Sequence, residues 1–462
     1  MTETKIIVLD DDPTGSQTVH SCLLLTRWDV ATLKQGLQDD APLFFVLTNT
    51  RGMSAAQAET LTRQVCINLR TALDELAAEG ITINPLLVSR SDSTLRGHYP
   101  VETDVISEIL GPFDAHFMVP AFFEGGRKTI NGVHYLVVDG VDTPVHETEF
   151  ARDSVFGYSH SYLPDYVEEK TQGRIKASEV ELFNLDDVRG NSIDRLMSLN
   201  GNVCCAVDAE KQADLDNFCQ QLMAAAEQGK RYLFRSAASL LTALAQLPPQ
   251  PVNADQMQRY LPTNRAGAVI VGSHVKKTTK QLQSLLKQAG TTGIEIDVSK
   301  ITDQRSGLLK DTLTMIEDCH ASNMTPVIYT SRTERQFADQ QTRLAFGELV
   351  SAFLMDIVRN LPVTTSFLIS KGGITSNDVL SHGLALEASR VVGQILPGCS
   401  VVRCPKDHPR YPDMPVVIFP GNVGDDDALA TAFQRLNPCT HDLDTRKPSS
   451  GRDSHVKSKL AI

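Results

Sequence analysis

No excess of basic residues marks this chain: 44 lysines and arginines stand against 56 aspartates and glutamates, a formal net charge of −12. That balance gives no general attraction to nucleic acid or to an anionic membrane, so a phosphate-bearing ligand must be held by a local site. Also missing is any apolar run near the roughly 20 residues that a membrane helix needs. The opening MTETKIIVLDDD has neither the basic region nor the long apolar core of a secretion signal. These absences predict a cytoplasmic protein with no nucleic-acid or membrane partner. The nine cysteines are scattered, and Cys204 and Cys205 are adjacent, not spaced as metal ligands, so they read as reduced core thiols. Two nucleotide fingerprints are lacking as well. No strand leads into G-x-G-x-x-G, and EGGRKTING fails as a Walker A loop: Arg127 stands where glycine should precede Lys128, and Phe122 takes the upstream glycine position.

What is present is a soluble globular composition, 41% apolar and 22% charged, over 462 residues, a length suited to two or three domains. Apolar strand patterns alternate with helical ones, which predicts an α/β fold with mainly parallel sheets. One helix is fully punctuated: Ser54 and Gln57 have capping-box spacing, Leu61, Val65, Leu69, Leu73 and Leu76 form an apolar stripe, and Gly80 is a natural stop. A second follows the strand AGAVIV, carries Leu282, Leu285 and Leu286, and ends before Gly290. A long helix is expected over residues 336–360. The stretch PPQPVNADQ reads as a linker, with a boundary near residues 248–265. Domains are therefore expected over 1–250 and 251–437, with a polar, aperiodic and mobile tail over 438–462.

Several apolar strands in the first half run directly into polar residues, and ligands in open α/β sheets gather beyond the carboxyl ends of strands. The first is IIVLDDDPTGS, with three consecutive carboxylates, Asp10, Asp11 and Asp12, whose mutual repulsion costs stability unless a cation or a reacting group offsets it. PLLVSR leads into SDSTLRGHY, where Arg90 and Arg96 suit a carboxylate, and Asp92, Ser93 and Thr94 suit hydroxyls. Arg51 after LTNT and Asn131 in TINGVHYL could reach the same crevice. An ordinary Asp92–Arg96 salt bridge would explain that pair equally well.

In the second half three strand ends carry small residues: Gly272-Ser273, the KGGITS run from Lys371 to Ser376, and PGNVG from Pro420 to Gly424. Glycine lets a backbone approach a ligand, and helix-start amides suit phosphate oxygens, although such turns are also the usual strand-to-helix connection. Asp425, Asp426 and Asp427 read as helix N-terminal charges, and no metal-ligand set is assigned. A rival reading starts from Asp10, Asp12 and Thr14, which fit the D-x-D-x-T opening of haloacid dehalogenase-like phosphatases, with Asp10 as nucleophile. The lysine and the spaced acidic pair that such enzymes require are not evident.

Taken in order, DDDPTG, RSDSTLRG, PAFFEGGRKTINGVHY, GSHVKKTTKQ, KGGITS and PGNVGDDD resemble the four-carbon acid sugar kinase family over nearly the whole chain to about residue 436. Asp10 stands where that family has a small residue. The resemblance implies a substrate-binding and a nucleotide-binding α/β domain with an active-site cleft between them. It implies ATP- and Mg2+-dependent phosphorylation of a hydroxyl of a tetronate-like acid such as threonate, erythronate or 3-oxo-tetronate. Asp12 and Asp11 would be catalytic, and Arg51, Arg90, Asp92, Ser93, Thr94, Arg96, Gly97 and Asn131 would bind the sugar acid. Ser273, Gly372, Gly373, Ile374, Thr375 and Gly421 would hold ATP, with Lys371 and Arg127 as cations for the transferred phosphoryl group. A non-catalytic sugar-acid sensor is the third reading, and a homo-oligomer is compatible with the sequence.

Overall fold

The computed structural model describes residues 3–273, 275–332, 340–421 and 423–437. The first half supplies strands β1 (Glu3–Asp10), β2 (Cys22–Leu25), β3 (Leu43–Leu47), β4 (Ile83–Arg90) and β5 (Ala115–Val119). After them come β6 (Arg127–Ile130), β7 (Val133–Val138), β8 (Val141–Pro144), β9 (Glu181–Phe183), β10 (Val203–Val207) and β11 (Tyr232–Ser236). Eight of these form a parallel array in the order β2-β3-β1-β4-β11-β5-β10-β9. Parallel strands need helical crossovers that cover both faces, which is why LFFVL of β3 is buried at every position. The helix Ala55–Ala78 is one such cover. It has the expected Ser54–Gln57 capping box, buries Val65, Leu69 and Leu76, and stops before Gly80, whose φ is +85°.

The second half supplies β12 (Ala268–Val271), β13 (Thr291–Ile296), β14 (Thr325–Thr330), β15 (Leu368–Lys371), β16 (Ala388–Leu396), β17 (Cys399–Arg403) and β18 (Pro415–Phe419). Its parallel part runs β13-β14-β12-β15-β18, and β17 and β16 continue it antiparallel. The two halves do not form separate sheets. Strand β16 pairs antiparallel with β2, Ala388 opposite Leu25 and Val391 opposite Cys22, so one fifteen-stranded sheet passes through both.

Register sets the site. Asp10 at the end of β1 lies between Leu47 of β3 and Arg90 of β4, and Ser236 of β11 lies between Arg90 and Val119 of β5. In the second half Val271, Lys371 and Phe419 share one level on adjacent strands. Polar residues placed after these positions therefore emerge in rows.

Where periodicity was weak, from residue 139 onward, the chain completes a separate antiparallel meander, β6-β7-β8, followed by two short 3-10 turns. The expected linker is no free tether. Gln250 donates to Gln394 O and accepts from Gln394 N, and Met257 is buried in a 3-10 helix, Ala254–Tyr260. The long helix is described over Gln340–Arg359, and its expected first turn, like the expected tail 438–462, lies outside the described residues. Eight cysteines among the described residues are free and buried, and burial pushes the Cys22 and Cys399 thiols up to about 12. Among the described residues no helix is long and apolar enough to cross a membrane.

Candidate active site

The three aspartates after β1 have three different fates, because the chain turns out of the sheet at Asp11. Asp10 is still in the strand and is fully buried. One carboxylate oxygen faces Arg90 Nη1 at 3.5 Å; the other has no partner and sits against Gly15, where an added Cβ would lie 1.8 Å from it. Burial, opposed by Arg90 and reinforced by Asp11, pushes the Asp10 carboxyl up to about 8. A nucleophile must reach its substrate. Asp10 cannot, which removes the basis of the phosphatase reading.

Asp11 is also buried, with both oxygens engaged: Arg51 Nη2 donates to Oδ1 at 2.5 Å, and Arg51 Nε and Ser91 Oγ donate to Oδ2 at 3.1 and 3.3 Å. Its two-point grip positions Arg51. Asp12 alone reaches the surface, its side chain 20% exposed. Thr14 fixes Oδ1 through its backbone N at 2.9 Å and its hydroxyl at 2.5 Å, while Oδ2 lies 3.4 Å from Arg51 Nη1. Burial by itself would raise this carboxyl, but Arg51 and Thr14 outweigh it and hold Asp12 below its ordinary value.

Arg51 joins the acidic turn to the segment after β4, since its Nη1 also lies 3.9 Å from Asp92 Oδ1. Asp92 Oδ2 accepts from Arg96 Nε at 2.7 Å and from the Thr94 hydroxyl. Burial works against this carboxylate, yet Arg96 and Arg51 hold it well below the usual range. The Asp92–Arg96 pair is thus real, and it is part of a larger lattice. Gly97 completes it: at φ +126°, an added Cβ would lie 2.6 Å from Ser91 Oγ and 2.7 Å from Arg235 Nη2. Ser93 and Thr94 are buried, and the Ser93 carbonyl accepts from His134 Nε2 at 2.8 Å.

Two expected ligand residues stand elsewhere. Arg90 is buried beneath the aspartates, between Asp10 and Asp11, with no route to a ligand. Asn131 occupies the β6–β7 turn at φ +51°, and its backbone N and that of Gly132 donate to Asp208 at 2.7 and 2.8 Å. A small pocket opens instead between Ser91, Asp92, Tyr166, Arg235 and Ser236. Ser236 Oγ is buried there without a partner, and Arg235 Nη1 bonds Ser89 at 2.7 Å and Glu102 at 2.5 Å. The sequence signal for this end, YLFRS running out of β11, matches that of the other polar strand ends.

In the second half the three small-residue turns follow the neighbouring strands β12, β15 and β18 of one sheet. An added Cβ at Gly272 would lie 2.2 Å from Thr375 Oγ1, and one at Gly372, φ +117°, 3.2 Å from Ser273 Cβ. Nothing lies within 4 Å of such a Cβ at Gly421, and Ile374 is 72% exposed. Lys371 is buried beneath them, donating to Pro420 O at 2.5 Å and Gly421 O at 3.1 Å; burial depresses it to about 7. It shapes the turn and does not project from it. Asp427 stands at the N-cap position of the helix Ala428–Leu436 without a side-chain capping bond and accepts from Ser284, while Asp426 faces Lys280, so the three aspartates sit at the helix start.

The rows of the two halves come close together at Asp12. A Cβ on Gly373 would lie 3.2 Å from Asp12 Oδ2, and Ser16 Oγ bonds Ser400 Oγ at 3.2 Å beside it. Together these features define a two-domain α/β protein whose carboxylate–arginine lattice faces a row of glycine turns. Residues 6–244 match the family model described as a sugar-binding N-terminal domain, and residues 268–429 the one described as a nucleotide-binding C-terminal domain. The chain belongs to the family these two domains define.

Among curated relatives, a D-erythronate kinase of Heliobacterium modesticaldum is 26% identical over 64% of this chain and 64% of its own length. A D-threonate kinase of Bordetella bronchiseptica is 30% identical over 34% of this chain and 37% of its own. The match thus spans less than two thirds of either relative. A solved Salmonella typhimurium LT2 structure, provisionally described as a tRNA synthase, has a TM-score of 0.66 at 19% identity over 93% of this chain and 98% of its own. A Haemophilus influenzae structure has a TM-score of 0.63 at 18% identity over 93% and 100%. Both share the fold.

Proposed function

We propose that this protein is an ATP-dependent kinase that phosphorylates a hydroxyl of a small, tetronate-like sugar acid. The observation that carries the reading is the proximity of Asp12, the only accessible carboxylate of the acidic turn, to the row of glycine turns, where a Cβ added at Gly373 would lie 3.2 Å from its Oδ2. The names of the two curated relatives support the substrate class. The glycine turns around Ser273, Gly372, Gly373 and Gly421 would present backbone amides to the phosphates of ATP, with Thr375 beside them. An arriving phosphate would also favour the charged form of Lys371.

In the reaction the acceptor hydroxyl faces Asp12 Oδ2. Its oxygen bonds to the γ-phosphorus, the bond from that phosphorus to the β,γ-bridging oxygen breaks, and the hydroxyl proton passes to Asp12. Transfer through a loose transition state depends on positioning more than on base strength, so a carboxylate held low by Arg51 is adequate. Mg2+ would be held through the nucleotide phosphates beside the glycine turns. When bound there it neutralises charge on the transferring group.

The test is an ADP-release screen over four- to six-carbon sugar acids with Mg2+ and ATP. Release that depends on a tetronate is expected. Flat traces with clear ligand-induced thermal shifts would leave a sensor and sink the kinase reading. Gly373→Val, which fills the space before Asp12, is expected to lower kcat by about 100-fold while Tm moves by only a few degrees. A kcat within twofold of wild type would place the transfer elsewhere.

A further inference from the structure

The arginines around the sugar-side strand ends are not equivalent. Arg51 grips Asp11, Arg90 stands between Asp10 and Asp11, Arg96 donates to Asp92, and Arg235 donates to Glu102. Arg127 faces no carboxylate within ion-pair distance among the described residues. The one hydrogen bond of its guanidinium there is from Nη1 to the Gly125 carbonyl, and its Nε is buried with no partner.

Its position is nevertheless well fixed. Phe122 and Arg127 exchange backbone hydrogen bonds at 3.0 and 2.8 Å, and the guanidinium lies 5.9 Å over the Phe122 ring. Phe122 packs with Ala237 and Ala238, the residues directly after Ser236 and its unpartnered hydroxyl. Burial pulls the Arg127 pKa below its ordinary value, with Asp92 opposing and Arg96 adding to the effect. Asp92 cannot compensate it further, since Oδ2 serves Arg96 and Thr94 and Oδ1 faces Arg51. A fixed, partly buried guanidinium without its own anion is costly to the fold unless a ligand supplies one. Its planar fork of N–H groups matches a carboxylate.

We propose that Arg127 receives the carboxylate of the substrate and so selects sugar acids over neutral polyols. The inference rests on the sugar-acid reading above. It moves acid recognition from Arg51, Arg90 and Arg96, whose charges are already matched within the chain, to the residue whose charge is not.

The test compares the full-length wild type with Arg127→Met and Arg127→Lys. Binding of D-erythronate, D-threonate and their carboxamides is followed by calorimetry, and turnover by ADP release. Arg127→Met is expected to weaken acid binding by roughly 10- to 100-fold, to erase the preference for acid over carboxamide, and to leave the KM for ATP unchanged. The ligand-free Tm should not fall, because an unmatched charge has been removed. If Arg127→Met fails to fold, Arg127→Lys, which keeps the charge and loses the fork, should still narrow the acid preference several-fold. An unchanged acid-to-carboxamide ratio in the folded variants would overturn the proposal while leaving the kinase reading intact. A wild type that neither binds nor turns over any acid would overturn both.

Discussion

Asp12→Asn is expected to lower kcat by about 10²- to 10⁴-fold with little change in Tm. The amide oxygen can keep the Thr14 backbone bond on the Oδ1 side, where Asp12 now accepts at 2.9 Å. The amide nitrogen must then take the Oδ2 position, facing Arg51 Nη1 and the space before Gly373. An acceptor becomes a donor where the substrate hydroxyl must give up its proton. Arg51 keeps Asp11 in its bidentate grip, so the lattice survives. Kinetics by ADP release and a melting curve check the two halves of this statement. Loss of activity with a collapsed Tm would mean that Asp12 is structural; a kcat above a third of wild type would mean that it does not handle the proton. The depressed pKa of Asp12 adds a pH signature. As far as this group is concerned, kcat should be flat above about pH 5, since Arg51 and Thr14 keep the carboxylate charged throughout.

The junction explains why Asp12 carries this weight. Strand β2, which follows the acidic turn, is hydrogen-bonded to β16, so the turn is tied to the second half by main-chain bonds on its far side. Ser16 and Ser400 add a side-chain bond in the same region. Closure of one half on the other, which would exclude water from the phosphoryl group, would pivot near these contacts.

Much of this arrangement was legible in the sequence. The capping box at Ser54, the stop at Gly80 and the three small-residue turns all follow local rules, and the alternation of strand and helix set the fold class. What could not be read was burial at the ends of parallel strands. The last five residues of β4 are all buried, so no alternation separates an inward from an outward Arg90. Three consecutive aspartates likewise do not announce where the strand ends, and that one-residue detail decides which carboxylate is accessible. Asn131-Gly132 is a strong hairpin signal, and the structure uses it as a turn whose amides are bound by the distant Asp208. The β2–β16 pairing joins residues more than 360 apart, as at Leu25 and Ala388, and no local pattern encodes it.

Asp10→Asn is expected to stabilise the protein increasingly as pH rises, while leaving kcat within about threefold of wild type. The folded-state value for Asp10 is about 8, against an ordinary 3.8. Between those values the native chain holds a proton that the unfolded chain releases, so wild-type stability falls as pH rises through that window. Below it both states are protonated and the cost vanishes. Above it the cost is complete, and the full shift corresponds to an upper bound on the order of 5 kcal/mol. Asparagine carries no charge in either state and has nearly the same shape, so it still fits against Gly15. Arg90 is not stranded by the change. At neutral pH Asp10 is already largely uncharged, and Arg90 retains Asp11 at 3.8 Å. Melting curves of both proteins from pH 5 to pH 9 should diverge, with Asp10→Asn the more stable on the alkaline side. A gap that stays constant over this range would show that Asp10 is ionised in the folded state throughout. Loss of turnover in a stable Asp10→Asn protein would return Asp10 to the reaction and reopen the nucleophile reading that its burial argues against.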